Sequence, residues 1–406
     1  MQCGLLGEKL GHSYSPQIHS HLGAYAYTLF EKRTEELEDF LKNGDFTGLN
    51  VTIPYKKAVI SYCAELSERA KTLGAVNTIV RRADGSLIGH NTDFFGFETM
   101  LRSSKLQVAG KKVLVLGTGG ASNTAVAVLR AEKANVVIIS RTGENHYGNL
   151  HLHRDASVIV NTTPVGMYPN VGISPVDLGD FPHLEGVLDV IYNPARTQLL
   201  LDAEEKGIIA VNGLEMLVAQ AKESAEWFTG SKISDAVIPK IHRMLKNQME
   251  NIVLIGMPGS GKSTIGAILA EKTGKTLVDA DAYLVEKAGK SIPDIFAADG
   301  ENGFRSLETE VLADLGKRSG LIIATGGGSV TRECNYDLLH QNGTIFCLLR
   351  DLEQLPTDGR PLSQTTKLSE MYRFRKPMYD RFADHIVDNN TDPEAAAEAI
   401  LKILEG

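Results

Sequence analysis

The sequence is short of several things, and each shortage removes a class of protein. Only four of its 406 residues are cysteine. Cys3, Cys63, Cys334 and Cys347 form no C-x-x-C pair and no finger spacing, so a disulfide scaffold and a thiolate zinc site are excluded and four reduced thiols in the cytoplasm are expected. No run of about 18 uncharged apolar residues occurs, and the start MQCGLLGEKLGHSYSP has no basic region ahead of an apolar core. Neither a membrane span nor an export signal is expected. A basic excess is also missing: there are 25 basic and 27 acidic residues up to Glu250, and 17 and 23 beyond it, which argues against nucleic acid as a partner. Proline is scarce, at 14 residues, beside 39 glycines, a balance that favours tight turns around ligands over a fibrous or disordered chain. The length suits two or three domains, each able to bury a core.

Two glycine clusters organise what is there. Residues 113–116 run into Gly117-Thr118-Gly119-Gly120-Ala121-Ser122, and residues 251–255 into Gly256-Met257-Pro258-Gly259-Ser260-Gly261-Lys262-Ser263-Thr264. Each cluster sits between a short apolar run and a helix-period segment, as at the strand-to-helix junctions of parallel sheets. Alternating βα segments make the chain α/β throughout. Residues 4–82 read as a small α/β unit closed by a hairpin turning at Asp84-Gly85, with a helix over 93–103 leading onward. Strands are expected over 136–140 and 157–161, and helices over 213–228 and 233–248. The expected boundaries are therefore 1–103, a nucleotide layer over 104–230, a closing helix over 233–248, and a second half over 251–406 joined without a Pro/Ser/Gly-rich linker.

The second cluster fits G-x-x-x-x-G-K-[ST], whose amides wrap nucleotide phosphates. Gly259, Ser260, Gly261 and Thr264 line it, Lys262 reaches the β/γ oxygens and Ser263 holds magnesium. Asp279 and Asp281 end the next apolar run two residues apart, hence on one side of a strand, so that Asp279 can support magnesium while Asp281 meets a substrate. Phe304-Arg305-x-x-Glu308, Gly326-Gly327-Gly328, Gly359-Arg360-Pro361-Leu362 and Arg375-x-Pro377-x-Tyr379 follow in order. From about 251 to 406 this succession resembles shikimate kinase. The resemblance implies a P-loop domain with a central parallel sheet and ATP- and magnesium-dependent phosphorylation of the 3-hydroxyl of shikimate. It also implies that Asp281, Arg305, Gly327 and Arg375 contact shikimate, with Asp281 as the base and Arg360 as the mobile lid arginine that joins Lys262 in neutralising charge. The segment 353–359 is acidic, contains a proline and lacks the second basic residue many relatives place there.

The first cluster is a loose G-x-G-x-x-G, with Ser122 in the third glycine position. The following β-type run ends in Ser140-Arg141-Thr142, where an arginine suits the 2′-phosphate of NADP. Upstream stand His12-Ser13-x-Ser15-Pro16, Asn50-Val51-Thr52-Ile53-Pro54-x-Lys56, Gly74-Ala75-Val76-Asn77-Thr78 and Asn91-Thr92-Asp93. Downstream stand Asn161-Thr162-Thr163-Pro164, Tyr192-Asn193-Pro194 and Gly213-Leu214-x-Met216-Leu217-Val218-x-Gln220. Over residues 1–245 the set resembles shikimate dehydrogenase, which implies a substrate subdomain, a Rossmann-type NADP subdomain and NADPH-dependent reduction of 3-dehydroshikimate. By that resemblance Lys56 and Asp93 are the catalytic pair, and Ser13, Ser15, Thr52, Asn77, Tyr192 and Gln220 contact the substrate. Gly117, Thr118, Gly119, Gly120 and Ala121 cradle the pyrophosphate, Ser140, Arg141 and Thr142 surround the adenosine phosphate, and Val190 and Gly213 lie near the nicotinamide. Relatives commonly carry a second arginine where Asn145 stands, and His146 or Arg154 are the candidates to replace its charge.

The product of the first chemistry is the substrate of the second, so the expectation is a bifunctional enzyme of aromatic amino-acid precursor biosynthesis. An NAD-using quinate/shikimate dehydrogenase fused to the kinase, and a non-catalytic metabolite sensor, remain the alternatives. The partners implied are small molecules, with magnesium as the metal. Self-association into a homo-oligomer stays open.

Overall fold

The computed structural model describes every residue except His12, 356–364 and Gly406, together with the side chains of 365–367. Arg360 and most of the expected lid lie outside the described residues. Sixteen strands among those described form three sheets, and the chain divides into two units. The first takes in Met1–Val165, Ser174–Tyr192 and Leu199–Met244; the second takes in Gly166–Ile173, Asn193–Gln198 and Leu245–Gly406.

In the first unit, β1 (Gln2–Gly7), β2 (Ala26–Glu31), β3 (Gly48–Val51), β4 (Glu65–Leu66), β5 (Thr78–Arg81) and β6 (Leu87–His90) make a six-stranded sheet in the order β2-β1-β3-β5-β6-β4. β5 and β6 pair antiparallel through the expected turn, where Gly85 takes φ +86° and Asp84 Oδ1 accepts from the Ser86 N–H at 2.9 Å. A second, five-stranded parallel sheet holds β7 (Lys112–Leu116), β8 (Asn135–Ile139), β9 (Val158–Asn161), β10 (Gly186–Asp189) and β11 (Ile209–Val211), ordered β11-β10-β9-β7-β8. β7, β9 and β10 are almost wholly buried, which is why they read as continuous apolar runs with no alternation. Gly117 leaves the C-terminal end of β7, the strand flanked by both β8 and β9, so the loop opens at the crevice where such sheets bind ligands.

The second unit holds β12 (Asn251–Ile255), β13 (Thr276–Asp279), β14 (Leu321–Ala324), β15 (Gly343–Leu349) and β16 (His385–Asp388), all parallel, in the order β13-β14-β12-β15-β16. β12 is central and buried at all five positions, and its end delivers the phosphate loop. The α/β class and the sheet types agree with the sequence reading, but one helix does not. The expected helix over 233–248 runs instead over Val237–Met249. The preceding turn is fastened by Glu226, which accepts from the Ile233 N–H at 2.8 Å, and by Lys222, paired with Asp235 at 2.7 Å. Those side-chain bonds outcompete a first helical turn.

Candidate active sites

In the first unit β3 ends just before Thr52 and Lys56, β5 begins beside Asn77, and the helix Asp93–Ser103 starts at Asp93, so one corner of the first sheet gathers these groups. Lys56 Nζ lies 2.6 Å from Asp93 Oδ2, with 28% and 13% of the two side chains exposed. The other carboxylate oxygen, Oδ1, accepts from Asn77 Nδ2 at 2.9 Å. Asn77 Oδ1 accepts from the Thr92 backbone N–H at 2.8 Å. An N–H can only donate, so this bond fixes the amide with its NH2 toward Asp93.

Ser15 begins the helix Ser15–Ser20, and the Ser13 hydroxyl just ahead of it accepts from the Ser15 N–H at 3.2 Å. Tyr14, between them, meets Tyr192 edge-on at 6.3 Å between ring centroids. Burial pushes both phenols above their ordinary range. Thr52 donates its N–H to the Leu6 carbonyl, and Gln220, on the helix Leu214–Thr229, donates to the Leu217 carbonyl.

The first glycine loop borders a cavity of about 540 Å³ lined by Gly117, Thr118, Gly119, Ser140, Arg141, Tyr147, Thr162–Val165 and Pro175. Gly119 caps the helix Gly120–Ala131, whose unpaired N–H groups favour an anion. Ser122, which breaks the expected motif, donates to the Gly117 carbonyl at 2.7 Å and so ties the loop to its helix. Arg141 is the guanidinium of this cavity, and the Ser140 hydroxyl donates to the Thr142 carbonyl. Of the two proposed replacements for a second arginine, His146 caps its own turn by accepting from the Gly148 N–H, and Arg154 donates to the Asp180 carbonyl at 3.2 Å. Neither lines the cavity. Gly213 packs so closely on the Val190 carbonyl that a Cβ there would collide with it. The cavity, the helix N-terminus and the arginine fit a nucleotide bearing several phosphates. Tyr147 was not singled out from sequence, and the 162–165 turn was read there as a motif of the resemblance with no cofactor role assigned to it.

In the second unit Gly261 adopts φ +96° at the start of the helix Lys262–Thr273, a conformation that favours glycine. Lys262 is buried and donates to the Gly256 and Met257 carbonyls at 2.9 and 3.0 Å. The structure corrects the placement of the two carboxylates. β13 stops at Asp279 and the helix Ala280–Ala288 begins at once, so Asp279 and Asp281 do not share a strand face. Asp279 Oδ1 caps that helix, accepting from the Asp281 and Ala282 N–H groups at 3.1 Å, while Oδ2 accepts from the Ser263 hydroxyl at 3.0 Å. Capping and metal support are therefore compatible, one oxygen each. The Ser263 and Asp279 oxygens suit magnesium, which takes few protein ligands and keeps water and phosphate oxygens.

Asp281 faces the glycine triplet: a Cβ at Gly326 would lie 2.8 Å from both Asp281 Oδ1 and Glu308 Oε1. Arg305 donates to Glu308 Oε2 at 2.7 Å, and Arg375 donates to the Gly327 carbonyl at 3.1 Å. Burial raises the Glu308 carboxyl above its usual range, against the pull of Arg305. Arg305 Nε, Arg375 Nε and Glu308 Oε1 are buried without a hydrogen-bond partner among the described residues, a pattern that calls for a polar ligand. Asn389, which the sequence reading missed, donates to the Ser260 carbonyl at 2.7 Å and braces the phosphate loop from the end of β16. Thr264 follows Ser263 in the helix, and Gly259 takes φ +85° in the loop.

Comparison with known proteins places names beside this geometry. A model of the shikimate dehydrogenase substrate binding domain matches residues 5–79, and a shikimate kinase model matches residues 258–405. A shikimate dehydrogenase (NADP(+)) of Clostridium perfringens is 37% identical over 265 residues, covering 60% of this chain and 97% of the relative. Among solved structures, shikimate dehydrogenase 1 from Peptoclostridium difficile is 38% identical with a TM-score of 0.56, covering 60% of this chain and 97% of its own. Shikimate 5-dehydrogenase from Thermus thermophilus, in complex with NADP(H) and shikimate, is 29% identical with a TM-score of 0.55, covering 60% and 99%.

Proposed function

This chain belongs to the shikimate dehydrogenase family, and with a shikimate kinase domain in the same polypeptide we propose that it catalyses two consecutive steps. 3-Dehydroshikimate is reduced to shikimate with NADPH, and shikimate is phosphorylated on its 3-hydroxyl with ATP and magnesium. The four free thiols suit the cytoplasm to which we assign it.

The observation that carries the reading is the Lys56–Asp93 pair held by Asn77 at 2.6 and 2.9 Å. Bound NADPH supplies the hydride. As the carbonyl carbon is reduced its oxygen becomes an alkoxide, and the Lys56 ammonium both stabilises that charge and delivers the proton. Asp93 keeps the ammonium aimed, and the partial exposure of Lys56 lets it regain a proton from water. Ser13, Ser15, Thr52, Tyr192 and Gln220 orient the ring and its carboxylate, and Gly117–Ala121 with Ser140, Arg141 and Thr142 hold the cofactor's phosphates. Val190 and Gly213 would hold the nicotinamide end.

In the second unit Asp281 accepts the proton of the attacking hydroxyl. Arg305 and Arg375, with the backbone at Gly327, hold the substrate carboxylate, and Lys262 exchanges its loop carbonyls for β/γ-phosphate oxygens. Ser263 and Asp279 would hold the magnesium that neutralises charge on the transferred group.

Shikimate oxidation is measured with NADP and NAD, and ATP-dependent phosphorylation on the same sample, for wild type, Lys56→Ala and Asp281→Asn. Each substitution should abolish one activity and spare the other. A wild type inactive with both cofactors overturns the dehydrogenase half, and one that leaves shikimate unphosphorylated overturns the kinase half.

A further inference from the structure

We infer that Ser224, which touches neither expected ligand, is a positioning residue for the Lys56–Asp93 pair; this rests on the dehydrogenase reading. Ser224 lies on the helix Leu214–Thr229 and is wholly buried. Four elements meet at its hydroxyl. Asn50 of β3 donates to it at 2.7 Å, and it donates to the Gln220 carbonyl one turn back at 2.9 Å. Thr78 of β5 and Thr92, which precedes the helix Asp93–Ser103, each place Oγ1 at 2.9 Å.

Those two threonines are the other side of Asn77. The Thr78 hydroxyl donates to Asn77 Oδ1 at 3.1 Å, and Asn77 Nδ2 donates to Thr92 Oγ1 at 3.0 Å and to Asp93 Oδ1 at 2.9 Å. A continuous path of hydrogen bonds thus runs from Ser224 through Thr92 to Asn77, Asp93 and Lys56. On the far side Tyr27 donates to Asn50 Oδ1 at 2.8 Å, which sets the Asn50 NH2 toward Ser224.

A hydroxyl has one proton and two lone pairs, so donation to the Gln220 carbonyl and acceptance from Asn50 Nδ2 and the Thr92 hydroxyl saturate it and leave no free rotation, while Thr78, whose proton goes to Asn77, packs its Oγ1 against it. Ser224 therefore keys the helix bearing Gln220 to the sheet corner bearing the proton donor, and the substrate contact and the catalytic pair share one reference point. Deleting it leaves the Asn50 NH2 and one threonine hydroxyl short of a buried partner, and the path can relax by turning Asn77 or Thr92 away from Asp93.

The test uses the full chain with Ser224→Ala and Ser224→Thr. For Ser224→Ala we expect kcat of shikimate oxidation to fall about tenfold, with KM for shikimate within threefold and a displaced pH profile of kcat. NADP affinity should match wild type, and the thermal unfolding midpoint should fall by no more than a few degrees. Ser224→Thr, which keeps the hydroxyl, should restore kcat to within threefold. A second readout needs no turnover: the rate of amine modification at Lys56 at fixed pH, read by peptide mass spectrometry, should rise at least threefold in Ser224→Ala alone. Unchanged kcat, pH profile and Lys56 modification in Ser224→Ala overturn the inference. So does a kcat loss that comes with lost NADP binding and an unfolding midpoint lowered by more than a few degrees, because the residue is then merely structural. If wild type oxidises no shikimate, the dehydrogenase reading fails on its own, and Lys56 modification still decides whether Ser224 governs the pair.

Discussion

A Cβ at Gly119 or Gly120 in the first glycine loop would meet no neighbouring heavy atom within 4 Å, whereas one at Gly261 in the second would lie 2.5 Å from Asn389 Nδ2. Both loops leave a buried parallel strand and open a helix, yet they present phosphate with different surroundings. The first is a bare shelf, with N–H groups at a helix start and an arginine at the next strand's end. The second is already full: Lys262 occupies the loop carbonyls and Asn389 braces the Ser260 carbonyl. Binding on the shelf depends on empty room and fixed dipoles, while binding in the filled loop exchanges internal hydrogen bonds for those of the ligand.

Lys262→Ala breaks the comparison most sharply. It should lower kcat for phosphorylation by about 10² to 10³ or more, the cost of losing one preorganised charge donor, and leave shikimate oxidation at wild-type rate. Alanine in the two loops separates room from strain. Gly261→Ala forces a side chain into φ +96° against Asn389 and should destabilise the second unit by about 1–3 kcal/mol in denaturant unfolding, with ATP binding lost. Gly119→Ala, at an extended φ of −82° and ψ of −172°, should leave stability within about 0.5 kcal/mol yet raise KM for NADP at least about tenfold, because the methyl stands on the shelf. Arg141→Ala should cut the preference for NADP over NAD by about 10- to 100-fold in kcat/KM, the size of a charge-assisted hydrogen bond to phosphate. The smallest effect belongs to Ser122→Ala: loss of its bond to the Gly117 carbonyl should cost about 1 kcal/mol of stability and raise KM for NADP only a few-fold.

The parallel strands leading into both loops were legible because strands buried on two faces leave unbroken apolar runs, and glycine clusters mark where those runs meet helices. The hairpin at Asp84-Gly85 was legible for the same local reason. What escaped depends on contacts between distant parts of the chain. Nothing in the sequence near Ser224 announces Asn50, 174 residues away, and nothing near Ser260 announces Asn389, 129 residues on. The strand placement of Asp281 failed because Asp279 satisfies a helix start more readily than it extends β13. Ser122 departs from the glycine motif in sequence, and only the folded loop shows its hydroxyl bonded back to the Gly117 carbonyl.

The glycine triplet 326–328 works as a spacer made of missing atoms. Asp281 and Glu308 fill the place of a side chain at Gly326, Pro258 of the phosphate loop lies 2.6 Å from a Cβ at Gly327, and the Arg305 guanidinium covers Gly328. The proposed base, the nucleotide loop and the arginine assigned to the substrate carboxylate are thus stacked on three successive backbone positions with no slack between them. The spacing between the phosphate loop and the proposed base is therefore set by three backbone positions that have no room for a side chain.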